Sequence, residues 1–254
     1  MFLLSVVLAA ALIGCSGAEN PGYPNSVSEG AEKEMINVTD LTEMEKELLV
    51  GAYPNDEERI QSGSLFDHQD DALKQLRAGI AYLTEKYPKK TPDIILFSPA
   101  TKFTQWAEMS LEAPSGKMYR LAVSPTENGY ECADDYYNEF LREPYDQYVA
   151  DILAKEGFTV LSFTEFPSLI GADVDENTTI EALIAIEPPL TRNTHLFVAQ
   201  ASGDPIADEI ESKIKEIGLY GSYTLYFAAS LDEDVMALEE NRKTMEYKSF
   251  SCFE

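Results

Sequence analysis

Three short stretches place oxygen-bearing side chains close enough together to do chemistry. In Glu131–Phe140, "ECADDYYNEF", the neighbours Asp134 and Asp135 stand beside Tyr136 and Tyr137. Adjacent carboxylates can split their pKa values and divide acid and base work, or share a sugar-binding cleft with the tyrosines. The plainer expectation is a helix start, where an aspartate caps exposed N–H groups and Tyr137 packs inward. In "DVDENTTIE", Asp173, Asp175 and Asn177 have the alternate spacing that opens a calcium loop, in which the backbone curls hard oxygens around the ion. The sixth position is Thr178 rather than glycine and the twelfth Ile184 rather than glutamate. An acidic loop capping the next helix is therefore expected, with incidental calcium affinity at those three residues as the alternative. The third is Glu165 in "SFTEFPS", the one carboxylate among Ser98, Glu165, Gln200 and Ser230, which end predicted strands where α/β sheets carry their sites.

Other chemistries lack their signatures. The chain has no Gly-x-Ser-x-Gly elbow, phosphate-binding loop, dinucleotide glycine pattern or His-Glu-x-x-His. Its two histidines, His68 and His195, read as packed or exposed rather than catalytic, and with so few cysteines they do not suggest zinc. No cofactor is expected. Catalysis, if present, falls to Glu165 or the Asp134/Asp135 pair, and the balance leans away from an enzyme.

The elements that must hold these residues follow from periodicity. "DDALKQLRAGIAYLTEKY" puts Leu73, Leu76, Ile80, Leu83 and Tyr87 on one helical face, with Asp70 and Asp71 at the positive end of the dipole. "PDIILFSP" reads as a buried strand. In "WAEMSLEAPSGKMYRLAV", a three-residue loop Pro114-Ser115-Gly116 with Gly116 left-handed pairs Leu111 with Tyr119, Met109 with Leu121 and Ala107 with Val123. The other face carries Trp106, Glu108, Ser110 and Glu112 against Met118, Arg120 and Ala122, and Trp106 with its neighbours is a candidate contact patch.

Residues 134–157 predict one kinked or two short helices, because Pro144 interrupts an otherwise periodic run. Strands are expected at 158–163, 195–199 and 222–229, with helices at 178–186, 204–217 and 232–245. In the middle helix Asp204 caps, Pro205 opens, Ile206, Ile210, Ile214 and Ile217 form the stripe, Glu209–Lys213 and Glu211–Lys215 pair, and Gly218 stops it. The alternation predicts an α/β fold: a mixed sheet with βαβ units plus an antiparallel hairpin, helices packed on the sheet, with α+β as the alternative.

Charge is the outlying feature of the composition. The chain holds 45 acidic and 19 basic residues, a net −26, around an ordinary 44% hydrophobic content. Such a surface repels nucleic acid and anionic headgroups, and suits either mere solubility or a basic partner. Beyond Cys15 stand only Cys132 and Cys252, which can pair outside the cytoplasm or remain two separate thiols.

The N-terminus supplies an address. Phe2–Ile13 is apolar apart from Ser5 and too short to span a bilayer. It ends in Leu12-Ile13-Gly14-Cys15, which resembles the lipobox of bacterial lipoproteins, although no Lys or Arg precedes the apolar run. The resemblance is confined to this signal. It implies a signal peptide over 1–14, cleavage before Cys15 and acylation of that thiol. Two acyl chains then hold the protein on the outer side of a bacterial membrane. Residues 15–33, rich in Gly, Pro, Ser and Asn, read as a flexible tether, and 34–254 as a single globular domain. The expected function is a non-catalytic cell-envelope lipoprotein that binds an envelope protein partner and no nucleic acid. A carboxylate-dependent hydrolase or transferase is the first alternative, and a small solute-binding receptor the second, disfavoured because two full lobes need more than the roughly 220 residues left.

Overall fold

The computed structural model describes residues 35–171, 173–186, 189–199 and 204–252, all of which belong to one unit. Cys15, the signal and tether, Pro188, Gln200 and the side chains of Asp204 and Pro205 lie outside the described residues.

The first half opens with β1 (Met35–Asn37), α1 (Glu43–Ala52), α2 (Glu57–Gln61) and β2 (Ser64–Phe66), with β1 and β2 paired antiparallel. Thr42 and Glu45 form a reciprocal capping box at the start of α1. The long helix α3 (Asp67–Lys86) follows, burying Leu73, Leu76 and Leu83 as the periodicity predicts. Then come β3 (Asp93–Ser98), β4 (Ala107–Glu112), β5 (Met118–Thr126) and β6 (Gly129–Asp134), an antiparallel meander in that order.

The β4–β5 hairpin takes the expected register, Ala107 opposite Val123, Met109 opposite Leu121 and Leu111 opposite Tyr119, with Gly116 at φ +79°. Its apolar face packs under α3, so Met109, Leu111, Leu121 and Val123 are fully buried, each contributing roughly 2 kcal/mol of transfer free energy. The segment 93–98 is an edge strand rather than a buried one. The described helices cover only one face of this sheet, and a bulge at Ile95 turns Ile95 and Leu96 outward while Phe97 packs inward.

The second half runs α4 (Asn138–Lys155), β7 (Leu161–Glu165), α5 (Ile180–Ile184), β8 (Asn193–Ala199), α6 (Asp204–Ile217), β9 (Gly221–Ala228), α7 (Val235–Asn241) and β10 (Glu246–Cys252). Its four strands form a second sheet in the order β10-β9-β8-β7. The fold is thus α/β with a mixed sheet, a βαβ unit and helices on the strands. The hairpin belongs to the other sheet, and β8-α6-β9 is the parallel pair. β7 runs antiparallel to β8 because Glu165 pairs with Asn193: the chain leaves β7 and re-enters the sheet at the same end, and no crossover is required.

Helices α4 and α6 bury Tyr145, Val149, Leu153, Ile210 and Ile214 against Leu196 and Leu225 on one sheet face. On the other face α7 places Leu238 over Phe163, Phe197 and Tyr226. α4 is a single helix with Pro144 inside it at an exposed position. Gly218, at φ +75°, closes α6. Of the two predicted ion pairs on α6, Glu211–Lys215 forms, whereas Lys213 turns to Glu216 and Glu156.

Candidate functional site

The two neighbouring aspartates are parted by the alternation of the strand they end. Asp134 is the last residue of β6, not a helix cap, and its side chain points into the interior. One oxygen accepts from the Lys86 ammonium at 2.7 Å and from the Tyr82 hydroxyl at 2.7 Å. The other accepts from the Tyr87 hydroxyl and the Tyr136 backbone N–H, both at 2.8 Å. Lys86 also donates to the Gly171 carbonyl at 2.7 Å. Burial lowers the Lys86 pKa, and the Asp134 carboxylate draws it back up. Every lone pair that Asp134 offers is engaged, so it serves as an internal bolt joining α3, β6 and the 170–171 segment rather than as half of a catalytic dyad.

Asp135 faces the other way. It lines a cleft of about 370 Å³ between the start of β5, the first turns of α4 and the end of β7, together with Lys117, Arg142, Phe163 and Glu165. Two of the three candidate carboxylates therefore share one cavity. Asp135 is partly neutralised: it accepts the Arg120 backbone N–H at 2.6 Å and the Arg120 Nε at 3.4 Å, while burial raises its pKa. Glu165 is exposed. The cleft lies at the Glu165–Asn193 end of the second sheet, opposite the end where β8 and β9 terminate. Glu165 and Ser230 are therefore not neighbours across a shared carboxyl edge, and Ser98 belongs to the other sheet. The premise that strand ends would gather these residues fails with the direction of β7.

Behind the cleft lie two groups that the sequence did not single out as a site. His195 packs parallel to the Phe163 ring at 6.3 Å, and its Nδ1 lies 2.8 Å from Glu239 Oε2 on α7. Arg242 is ion-paired with the same carboxylate, so Glu239 bridges the two. Asp146, one helical turn after Arg142 on α4, accepts from Ser162 Oγ at 3.2 Å, and burial pushes its pKa up to about 7. Arg142 and Asp146 stand four residues apart on α4, a spacing that puts both on one helical face. The contact of both with β7 depends on the tertiary fold.

The calcium pattern resolves into a capped turn. Asp175 accepts from the Asn177 N–H at 2.8 Å and the Thr178 hydroxyl at 3.1 Å, leaving it turned inward on its own backbone. Thr179 then caps α5 through the Ala182 N–H. Among the described residues no group of three or more His, Cys, Asp or Glu side chains could hold a metal ion.

The outer face of the first sheet is a second feature. α1 and α3 lie on its inner side, leaving Leu96, Trp106, Glu108, Glu112, Met118 and Glu131 facing out. Trp106 is 47% exposed and lines a depression of about 490 Å³ with Thr101, Gln105 and Ser124, and nearby Phe103 is 96% exposed. Arg120, on the same face, is committed to Asp135. The face is thus both apolar and acidic.

Among the described residues no helix is long and apolar enough to cross a membrane. Compared with protein families, curated proteins and solved structures, the chain matches none.

Proposed function

We propose that this chain is a cell-envelope lipoprotein, fastened outside a bacterial membrane through Cys15, whose folded domain is a non-catalytic binding module for an envelope protein. The observation that carries this reading is the face of the first sheet that none of the described helices covers. On that face Leu96, Trp106 and Met118 stand exposed at separate positions among Glu108, Ser110, Glu112 and Arg120, a set of apolar anchors held in fixed register by the strands. Aromatic residues such as Trp106 and Phe103 are the types that anchor protein interfaces. The acidic residues around them, Asp93, Glu108, Glu112 and Glu131, select a partner segment that is apolar and basic. The net charge of −26 hastens the approach of such a partner and repels others.

The engagement of Asp134 by Lys86 and of Asp135 by Arg120 favours binding over a carboxylate-dependent hydrolase. A photo-crosslinking residue at position 108, in the full chain in its native membrane, tests the reading. It should capture one protein through a basic segment, with capture weakened by salt and lost in Glu112→Lys. Equal capture from position 47 on α1, or capture indifferent to salt and to Glu112→Lys, overturns it.

A further inference from the structure

We propose that the cleft between β5, α4 and β7 is a site for a small zwitterion, a short peptide or amino acid with free ammonium and carboxylate groups and an apolar side chain. The argument starts from charge. The chain holds 45 carboxylates to 19 cationic side chains, so a cavity wall that carries two cations stands out against the surrounding field. Two line this one cavity. Among the described residues Lys117 forms no ion pair, and Arg142 pairs only loosely, with Glu143 3.7 Å away and 86% exposed, while its charge is also felt by Asp146 one turn further along α4. The Arg142 side chain is only 14% exposed and sits over the Phe163 ring, with its carbon 5.0 Å from the ring centre. That stacking fixes a planar, bidentate donor at the cavity wall, the geometry that reads a carboxylate.

The other polar groups in the cavity are already used. Asn138 bonds the backbone of Asp135 and Phe166, Tyr119 donates to Glu139, and Thr164 shares a hydrogen bond with Thr194. Glu165 alone among the lining carboxylates has no partner among the described residues. The cavity therefore offers two cations and one carboxylate above the apolar rings of Phe163 and Phe166.

Long-range charge decides between ligand classes. A bare anion must approach against the field of the net −26, and a bare cation meets Lys117 and Arg142 once inside. A zwitterion feels little of the long-range field, and each of its ends finds a counter-charge. A volume of about 370 Å³ lies within the range of small-ligand pockets and admits a dipeptide. The cleft borders the outer face of the first sheet at Met118, but Arg142 and Glu165 lie on α4 and β7 and not on that sheet, so variants at these two residues test the cleft alone.

Calorimetry of the full chain with the dipeptide Gly-Phe, its N-acetyl form, its C-terminal amide and free phenylalanine tests the proposal. Gly-Phe should bind, and each capped form should bind at least about tenfold more weakly. Arg142→Gln should erase the preference for the free carboxylate, and Glu165→Gln the preference for the free ammonium. Should Arg142→Gln not fold, Lys117→Gln, at the solvent-facing turn, carries the carboxylate arm of the test. Phenylalanine binding as well as Gly-Phe would assign the site to a single amino acid. No Gly-Phe binding up to about 10 mM, capped forms binding equally, or variants that keep the wild-type preferences would overturn it.

Discussion

Lys86 and Asp134, 48 residues apart in the chain, meet at 2.7 Å in the protein interior, with side-chain exposures of 3% and 0%. Removing one partner of such a pair leaves a charge with neither water nor counter-ion, which costs about 3–5 kcal/mol. Lys86→Met should lower the urea midpoint accordingly. Lys86→Met combined with Asp134→Leu should cost less than the two single changes added together, because the second substitution removes the stranded carboxylate. A loss below about 1 kcal/mol for Lys86→Met would mean that the tyrosine hydroxyls alone keep Asp134 solvated.

Asp146 gives stability a pH dependence of unusual sign for a carboxylate. Burial first, against donation from the Thr164 and Ser162 hydroxyls, raises its pKa to about 7 from an ordinary 3.8. Between those values the folded chain holds a proton that the unfolded chain has lost, so stability from this group is present below the lower value. It falls by about 1.4 kcal/mol per pH unit as pH rises towards 7. Asp146→Asn mimics the protonated side chain. It should be more stable than the wild type at pH 8 and should lose that advantage near pH 4. An equal difference at both pH values would rule out the raised pKa.

Patterns local in sequence were legible, and those depending on strand direction were not. The β4–β5 register follows from alternation and one left-handed glycine, Gly116, and α3 and α6 follow from their apolar stripes. The strand β10 escaped notice because its outward residues, Ser249 and Ser251, are small and polar, so only Phe250 and Cys252 mark its buried face. The candidate site was half legible. Glu165 and Asp135 do share a cavity, though for a different reason than parallel strand ends. Arg142 and Asp146 gain their meaning from an edge strand that doubles back, and no spacing in the chain encodes that reversal.

Phe103 separates binding from folding. Phe103 is almost wholly exposed, so truncating it removes little buried area and should change stability by no more than about 0.5 kcal/mol, whereas Trp106, just over half buried, also contributes to packing. At an interface anchor the same truncation costs about 2 kcal/mol or more of affinity. Phe103→Ala should therefore keep its melting temperature while partner capture at the sheet face falls roughly thirtyfold. A melting temperature that falls while capture persists would make Phe103 a packing residue.

The cysteines give a count that tests the anchor and the fold together. Cys132 lies in the first sheet and Cys252 in the last strand of the second, and both are free thiols. Burial pushes the Cys132 pKa up to about 11, which leaves about one thiolate in ten thousand at pH 7 and makes the native thiol slow to alkylate. Burial raises Cys252 as well, against the pull of Lys215. The native protein should therefore label slowly, and its mobility should be the same with and without reductant. After unfolding without reductant, two thiols should label if Cys15 carries an acyl chain and three if it does not. No labelling beyond Cys15 would mean that Cys132 and Cys252 are joined, and the packing of β6 and β10 described above would have to be abandoned.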